Sequence, residues 1–529
     1  MRRVLIAIFL TASAVASASA QEDLFERYEA FKRQAQREYG DFRSKANAEY
    51  AEFMRKAWAK FEAEPALPAP VKPKPPVQPQ ANPTDVPQTR ELSYGEVVKP
   101  TPDVPQPQPV EPVAVSPVGP APAIAAAPTA IAPSPTTRVP QLNTAPAAAP
   151  RSDTAPVGPT PVPRQSAPDG HDTAFDFYGT SCVVRMPACA LPRLADAGEA
   201  GVSRMWTELS DSRYDIAIAD CLHLRETLSL CDWGYLQLVG MFAEKCYGAH
   251  CNESVVMQTY IMAQSGYKVR LARSEDRLTM LLPSENEIWN YSFIRLDDCK
   301  YYILDKTLRG KGFAVCDIPF PGERFASLYM RRRPRFAMSP VGERQFRSKR
   351  YPQLAVTVAP NRNLLDFYNN YPLSNDWDMY ALASLDEATE AMLYPALRNA
   401  VAGKSKREAA DILIDFVQTA FEYKTDPEQF GYERPLFGDE TFYYPYSDCE
   451  DRSILYSILV RELLGLDAAL IAYPNHLATA VCFGDDAQGD YITVGGRRYT
   501  VCDPTYIGAS TGMTMPDMDN ARATVILLE

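Results

Sequence analysis

The sequence predicts a mixed α+β body made of two tandem copies of one unit, preceded by a long N-terminal helix and a disordered proline-rich linker. Three observations predict it. A helix-and-strand pattern recurs after 198 residues from Cys251 to Cys449, and after 199 from Gly266 to Gly465. An eleven-residue aromatic repeat marks residues 21–64. Of the 46 prolines, 29 fall between Pro65 and Pro168, where Tyr94 is the only aromatic residue and no Cys occurs.

The first element is the start of the chain. Arg2 and Arg3 precede the apolar run Val4 to Leu10, and Ala18-Ser19-Ala20 closes it with small residues. This pattern predicts a signal peptide over residues 1–20, a mature chain exported to the periplasm or secreted, and no transmembrane span after cleavage. The 54 basic and 66 acidic side chains of the 529 residues give a net charge of −12. That balance offers no footprint for a polyphosphate, so nucleic acid is excluded as an expected partner. All eleven cysteines follow Ser181. In an oxidising compartment they read either as disulfides with at least one free thiol, or as small buried apolar side chains.

Over residues 21–64, Tyr28-Glu-Ala-Phe31, Tyr39-Gly-Asp-Phe42, Tyr50-Ala-Glu-Phe53 and Phe61 align at the eleven-residue period. Eleven residues close three turns at about 3.67 residues per turn, which keeps the aromatics on one face of a helix. The stripe reads as a docking or self-association surface for a protein partner, the alternative being that it folds back on the C-terminal body. The linker, residues 65–172, has the composition of an extended, semi-rigid spacer.

The two copies are assigned to residues 173–325 and 373–529, joined by a connecting segment, 326–372. Cys251-Asn-Glu-Ser-Val-Val-Met-Gln-Thr-Tyr-Ile-Met-Ala-Gln-Ser-Gly266 matches Cys449-Glu-Asp-Arg-Ser-Ile-Leu-Tyr-Ser-Ile-Leu-Val-Arg-Glu-Leu-Leu-Gly465 as a helix opened by Cys and stopped by Gly. Lys300-Tyr-Tyr-Ile-Leu-Asp305 matches Arg498-Tyr-Thr-Val-Cys-Asp503 as a strand ending in Asp. The arginines from Arg331 to Arg350 read as a solvated loop, or as a seat for an anionic partner. Ser384-x-x-Glu387 and Ser405-x-x-Glu408 read as capping boxes that start two helices.

The second copy carries the chemistry. Cys449 stands at a helix N-terminus, where the backbone dipole and unpaired N–H groups stabilise a thiolate. Asp448, Glu450 and Asp451 oppose that, so a cationic partner is required. His476 opens a strand and Asp503 ends another. If the two strands pair, the carboxylate orients the imidazole and the other ring nitrogen faces the thiol. Cys482 and Cys502 lie on those strands and are expected to form a disulfide behind the site.

Asp448-Cys-Glu-Asp-Arg-Ser453, Gly465-Leu-Asp-Ala-Ala-Leu470, His476 leading a strand, and Val501-Cys-Asp-Pro-Thr505 resemble the core of the transglutaminase-like superfamily of cysteine enzymes. The resemblance implies papain-like α+β units, with Cys449 the nucleophile, His476 the base and Asp503 the orienting carboxylate. It also implies that a side chain just before the nucleophile assists the oxyanion, for which Tyr443, Tyr444 and Tyr446 are available. Nothing in the sequence resembles the calcium sites of animal transglutaminases, and no metal or cofactor is expected. In the first copy Cys251 and Asp305 match, but Arg277 stands where the base belongs. An arginine cannot accept a proton at working pH, so that copy is expected to be degenerate and used for binding or support.

The function expected is that of an exported cysteine hydrolase acting on a peptide or protein. The alternatives are a non-catalytic envelope binding or scaffold protein, and a protein-glutamine amine transferase that cross-links proteins.

Overall fold

The computed structural model describes residue 34 and residues 40–56, 58–70, 74–82, 84–99, 170–308, 312–484 and 488–528. The expected signal peptide, the helical repeat at Tyr28, Phe31 and Tyr39, and the linker from residue 100 to 169 lie outside the described residues.

In chain order, helix α1 covers 40–54, followed by β1 (Ala59–Glu62), β2 (Arg90–Glu91) and β3 (Glu96–Val98). A hairpin, β4 (Gly170–Phe177) and β5 (Thr180–Pro187), leads into α2 (Glu199–Leu209), α3 (Asp215–Thr227), α4 (Asp232–Tyr247) and α5 (Asn252–Gln264). The first large sheet then takes β6 (Arg270–Ser274), β7 (Arg277–Pro283), β8 (Phe293–Leu296), β9 (Cys299–Ile303) and β10 (Gly312–Cys316). The connecting segment forms the hairpin β11 (Arg344–Arg347) and β12 (Ala355–Val358), then α6 (Arg362–Asn369). Next come α7 (Trp377–Ala381), α8 (Glu387–Val401), α9 (Lys406–Thr419), β13 (Glu422–Tyr423), α10 (Asp426–Gln429), α11 (Gly438–Thr441) and β14 (Tyr446–Ser447). The chain closes with α12 (Cys449–Leu464), β15 (Ala468–Tyr473), β16 (His476–Val481), β17 (Asp490–Val494), β18 (Arg497–Cys502) and β19 (Thr524–Leu527).

The fold is mixed α+β. The first sheet runs β1-β10-β6-β7-β9-β8 and the second β2-β17-β18-β16-β15-β19-β3. Without β1, β2 and β3, the orders β10-β6-β7-β9-β8 and β19-β15-β16-β18-β17 correspond strand for strand. All pairings within each set are antiparallel. Strands β15 and β16 are buried at nearly every position. Such near-continuous burial requires cover on both faces. Leu470, Leu477 and Val481 join the main core with α12 residues such as Ile454 and Ile458. Ala469, Ile471, Ala478 and Ala480 join a second cluster on the other side, which also takes Leu92 from the N-terminal segment.

Several expectations change here. The N-terminal helix does not continue to residue 64: Phe61 lies in β1, antiparallel to β10, with its ring against the first sheet's outer cluster. The open edge of β10 offers that segment a hydrogen-bonding partner, and a strand satisfies both backbones. The stripe is split. Tyr50 packs inward, with ring centroids 4.9 Å from Trp206 and 5.4 Å from Phe320, while Phe42 and Phe53 are exposed. Asn47 accepts a hydrogen bond from the Trp206 indole at 3.2 Å, so this part of the helix folds back on the body.

The proline-rich linker does not begin as a free spacer. The described residues 64–70, 74–82 and 84–98 lie along the body as a strap: Glu64 pairs with Phe293, Ala81 with Ile507, β2 with β17, and β3 with β19. Composition misled because a proline-rich segment cannot build its own core, yet it can lie extended on a core supplied by others.

The Cys482–Cys502 disulfide does not form, and all eleven cysteines are free thiols. Cys502 pairs with Thr479, which places Cys482 three residues farther on, just past the end of β16. Three residues of strand are about 10 Å and reverse the side-chain face, beyond the roughly 7 Å Cα separation a disulfide bridges. The Ser405–Glu408 capping box forms, whereas the other helix takes Asp386 as its N-cap instead of Ser384. Much of the basic run is spent internally. Arg332 pairs with Glu226 at 2.7 Å, Arg333 with Glu390 at 2.5 Å, and Arg344 donates to the Tyr443 and Tyr444 carbonyls.

Candidate functional site

Three local features position the candidate residues and join His476 to Asp503, while no hydrogen bond links the Cys449 thiol to His476 among the described residues. Asp448 and Asp451 cap the start of α12: Asp451 accepts from the Asp448 and Leu436 amides at 3.2 and 3.0 Å. Gly465, at φ 61°, ends the helix in the left-handed conformation that favours glycine. One turn into the helix, the Ser453 hydroxyl donates to the Leu477 carbonyl at 2.8 Å, fastening the Cys449 end to the residue after His476. The antiparallel pairing of β16 with β18 then carries Asp503 to His476.

His476 Nε2 lies 2.8 Å from Asp503 Oδ2, with both side chains buried. Asp503 Oδ1 also accepts the Thr505 and Tyr506 amides at 2.9 and 3.2 Å. A carboxylate engaged as an acceptor by these donors assigns the ring proton to Nε2, leaving Nδ1 with its lone pair. Nδ1 is buried and has no hydrogen-bond partner among the described residues. The Tyr473 ring stacks on the imidazole at 6.3 Å between centroids.

Cys449 is 2% exposed, and its thiol donates to Glu450 Oε2 at 3.0 Å. Burial first, then the Glu450 and Asp448 carboxyls, push the thiol well above its ordinary pKa, with Lys74 partly opposing them. In this arrangement the cysteine is a protonated, covered thiol.

Lys74 was not foreseen. Its ammonium is 2.7 Å from Glu433, 2.8 Å from Asp448 and 3.8 Å from Asp426, and it also pairs with Glu450. All five side chains are no more than 2% exposed. Burial would lower the lysine's pKa, but Glu450, Asp448, the Cys449 thiol and Asp426 outweigh it and hold the ammonium charged. Burial raises Asp448 and Asp426. Glu450 goes the other way: burial opposes its charge, but Lys74, together with the neighbouring Asp448 and Glu433 carboxyls, keeps it ionised below the usual carboxylate range. These acids stand close enough in three overlapping groups to hold a cation, and the cation they surround is Lys74.

This cluster ties stability to pH. Burial first, then Glu450, raise Glu433 to about 8 and Asp451 to about 7. Unfolded, these groups release their protons near pH 4 to 4.5, about where free carboxyls titrate. Their contribution is full below that range and drains as pH climbs through 7 to 8. The melting temperature of the full chain is therefore expected to fall between pH 5 and pH 8, and Glu433→Gln, which cannot ionise, should flatten that slope. An equal or higher melting temperature at pH 8 would contradict the cluster's protonation.

Of the expected oxyanion tyrosines, Tyr443 accepts a hydrogen bond from Arg362 at 3.0 Å, and Tyr444 donates to Asn369 at 3.0 Å. Those partners lie on and around α6. Tyr446 lies in β14 with Lys424 over its ring. The tyrosine that senses the thiol is Tyr423, in β13 opposite Ser447. Its pKa is raised by burial first and then by Cys449, Asp448 and Glu450. Its hydroxyl donates to the strap's Pro75 carbonyl at 2.8 Å.

No family model matches this chain, and no curated protein or solved structure matches it either. The site therefore rests on its own geometry.

In the first unit, Cys251 is the N-cap of α5 and accepts the Ser254 amide at 3.4 Å. Arg277 opens β7 as His476 opens β16, and it forms an ion pair with Asp305. Its other arm donates to Thr307 at 2.9 Å. Arg277, Asp305 and Thr307 border an open cleft of about 490 Å³, lined also by His250, Gln258 and Tyr291, and Cys251 is not part of its lining.

Proposed function

We propose that this protein is an exported cysteine hydrolase of the transglutaminase-like, papain-like type, with Cys449, His476 and Asp503 as its triad and a peptide or protein as its substrate. The observation that carries this reading is the buried His476 Nε2 to Asp503 bond, beside a cysteine helix fastened to the same strand by Ser453. With Nε2 held by the carboxylate, Nδ1 is the nitrogen left to take the thiol proton. The thiolate would attack an amide carbonyl, the imidazolium would return the proton to the leaving amine, and water would release the acyl group by the same route. The α12 N-terminus is a donor to the developing oxyanion, and the Tyr423 hydroxyl would join it once freed from the strap's Pro75 carbonyl.

The matching strand orders support reading the two sheets as copies of one papain-like unit. The Arg277–Asp305 pair supports a first copy that has lost its base while keeping the carboxylate contact. Export to the periplasm or beyond is the setting this reading assumes.

The test uses peptide release from a protein extract by the full chain carrying Lys74→Ala, scored by mass spectrometry. Release is expected to vanish in Lys74→Ala/Cys449→Ala and to persist in Lys74→Ala/Cys251→Ala. Release that survives loss of Cys449 would overturn the assignment. Incorporation of a labelled amine in place of hydrolysis would move the protein to the amine-transfer reading.

A further inference from the structure

The strap does more than cover an apolar edge. It passes directly over the α12 start: the Pro75 carbonyl accepts from Tyr423, and Gln78 Nε2 donates to the Gln418 and Thr505 carbonyls, both at 3.0 Å. Thr505 is two residues beyond Asp503, so the strap runs from the cysteine end of the site toward its carboxylate end. Proline on both sides of Lys74 pre-sets an extended backbone and lowers the entropy lost on laying it down. One side chain leaves this path, and it fills a pocket built from four carboxyl groups.

A structural ion pair needs one carboxylate, and buried pairs add little to stability for their desolvation cost. This pocket is more specific than that. Of its three N–H donors the ammonium gives one each to Asp448 and Glu450, and it stands 2.7 Å from Glu433, whose two carboxyl oxygens are buried without a hydrogen-bond partner among the described residues. Glu450 supplies the matching negative charge while burial favours the protonated form of Asp448 and Glu433. Such a cavity suits a monovalent cation with directional donors. Calcium prefers six to eight oxygens and a larger negative charge. Asp426 Oδ1 and Asp448 Oδ1 are buried without a hydrogen-bond partner among the described residues.

We propose that the carboxyl pocket at the start of α12 is a recognition subsite for a primary ammonium group on the substrate, a lysine-type side chain, and that Lys74 fills it as an internal stand-in that seals Cys449. The ammonium held there is charged and so has no lone pair for attack. It anchors the substrate and does not accept the acyl group. What the subsite serves rests on Cys449 being the nucleophile; what it binds does not.

The test separates these. Full-chain Lys74→Ala/Cys449→Ala is titrated calorimetrically with Nα-acetyl-lysine N-methylamide. Binding is expected to be at least about tenfold tighter than for the norleucine analogue, the scale of a charge-assisted hydrogen bond. It is expected to be lost in Cys449→Ala with Lys74 intact, and weakened at least about tenfold by adding Glu450→Gln, which removes the pocket's negative charge. Equal binding of the two analogues, or Ca²⁺ binding in place of the lysine probe, overturns the proposal. If Lys74→Ala does not melt cooperatively, Gln78→Ala loosens the strap and leaves the pocket's charges intact. The lysine probe should then speed alkylation of Cys449 by displacing Lys74, and an equal rate with the norleucine analogue overturns the proposal. Probe binding together with an inert Cys449 in Lys74→Ala sinks the nucleophile reading alone. A reactive Cys449 in a chain that ignores the probe sinks the subsite alone.

Discussion

Asp503→Asn is expected to lower peptide release by about 10²- to 10⁴-fold while leaving a folded protein, the range for losing the orientation of a general base. Asp503 accepts from three donors: His476 Nε2 and the Thr505 and Tyr506 amides. An asparagine has one oxygen and one NH₂ in their place. The two amides claim the oxygen, which turns the NH₂ toward Nε2. That nitrogen must then become the acceptor, and the ring proton moves to Nδ1. The atom that should receive the thiol proton now carries one of its own. Activity measured beside a thermal melt in the Lys74→Ala background checks this. A folded Asp503→Asn protein that keeps more than about a tenth of the activity removes the orienting role, since losing a base costs at least about 100-fold.

Cys449, His476 and Asp503 were legible as candidates because each has a local signature: a Cys before an amphipathic helix, a His opening an apolar strand, and an Asp before Pro504. The strand pairing that joins the last two does not follow from hairpin order, because β17 comes between β16 and β18 in the chain and sits on the far side of β18 in the sheet. Register was not legible to the residue, and the misplaced disulfide records that error. A three-residue offset leaves the strands paired and His476 beside Asp503, but separates Cys482 from Cys502.

Lys74 was illegible for a different reason. It lies 374 residues from Asp448, in a stretch whose composition gives no sign of where it rests. The signal available was Lys72-Pro73-Lys74-Pro75-Pro76, cations interleaved with prolines, set against a helix start with more acids than its own capping requires. Tyr423 was missed because β13 spans two residues, too short to show a strand period. The aromatic repeat does not hold as one stripe: Tyr50 faces the body, Phe42 and Phe53 are exposed, and Phe61 lies in β1. The destination of Tyr50 depended on Trp206 and Phe320, which no local pattern connects to it.

Arg452 ties the acid cluster to the rest of the fold, and Arg452→Met is expected to destabilise the protein by about 3–5 kcal/mol, as when one partner of a buried charged network is removed. The side chain is fully buried and has no carboxylate in direct contact among the described residues. Instead its guanidinium donates to the Gln418 and Phe421 carbonyls at 3.1 and 3.0 Å and to the Ser447 hydroxyl at 3.1 Å. These join the end of α9 to the turn before Cys449. Burial lowers its pKa to about 10, with Tyr423, Asp448 and Asp451 favouring the charge. At neutral pH the arginine is therefore cationic and offsets nearby acids. Methionine fills comparable space but leaves the Phe421 carbonyl without its donor and the acids with Lys74 as their nearest cation. The loss should grow as pH rises and the acids ionise. Arg452→Lys, which keeps the charge but not the planar fork, should fall between the two. Urea denaturation of the three proteins at pH 6 and pH 8 decides it. A cost below about 1 kcal/mol for Arg452→Met, within the reach of an ordinary surface change, would show that the turn before Cys449 is held by other means.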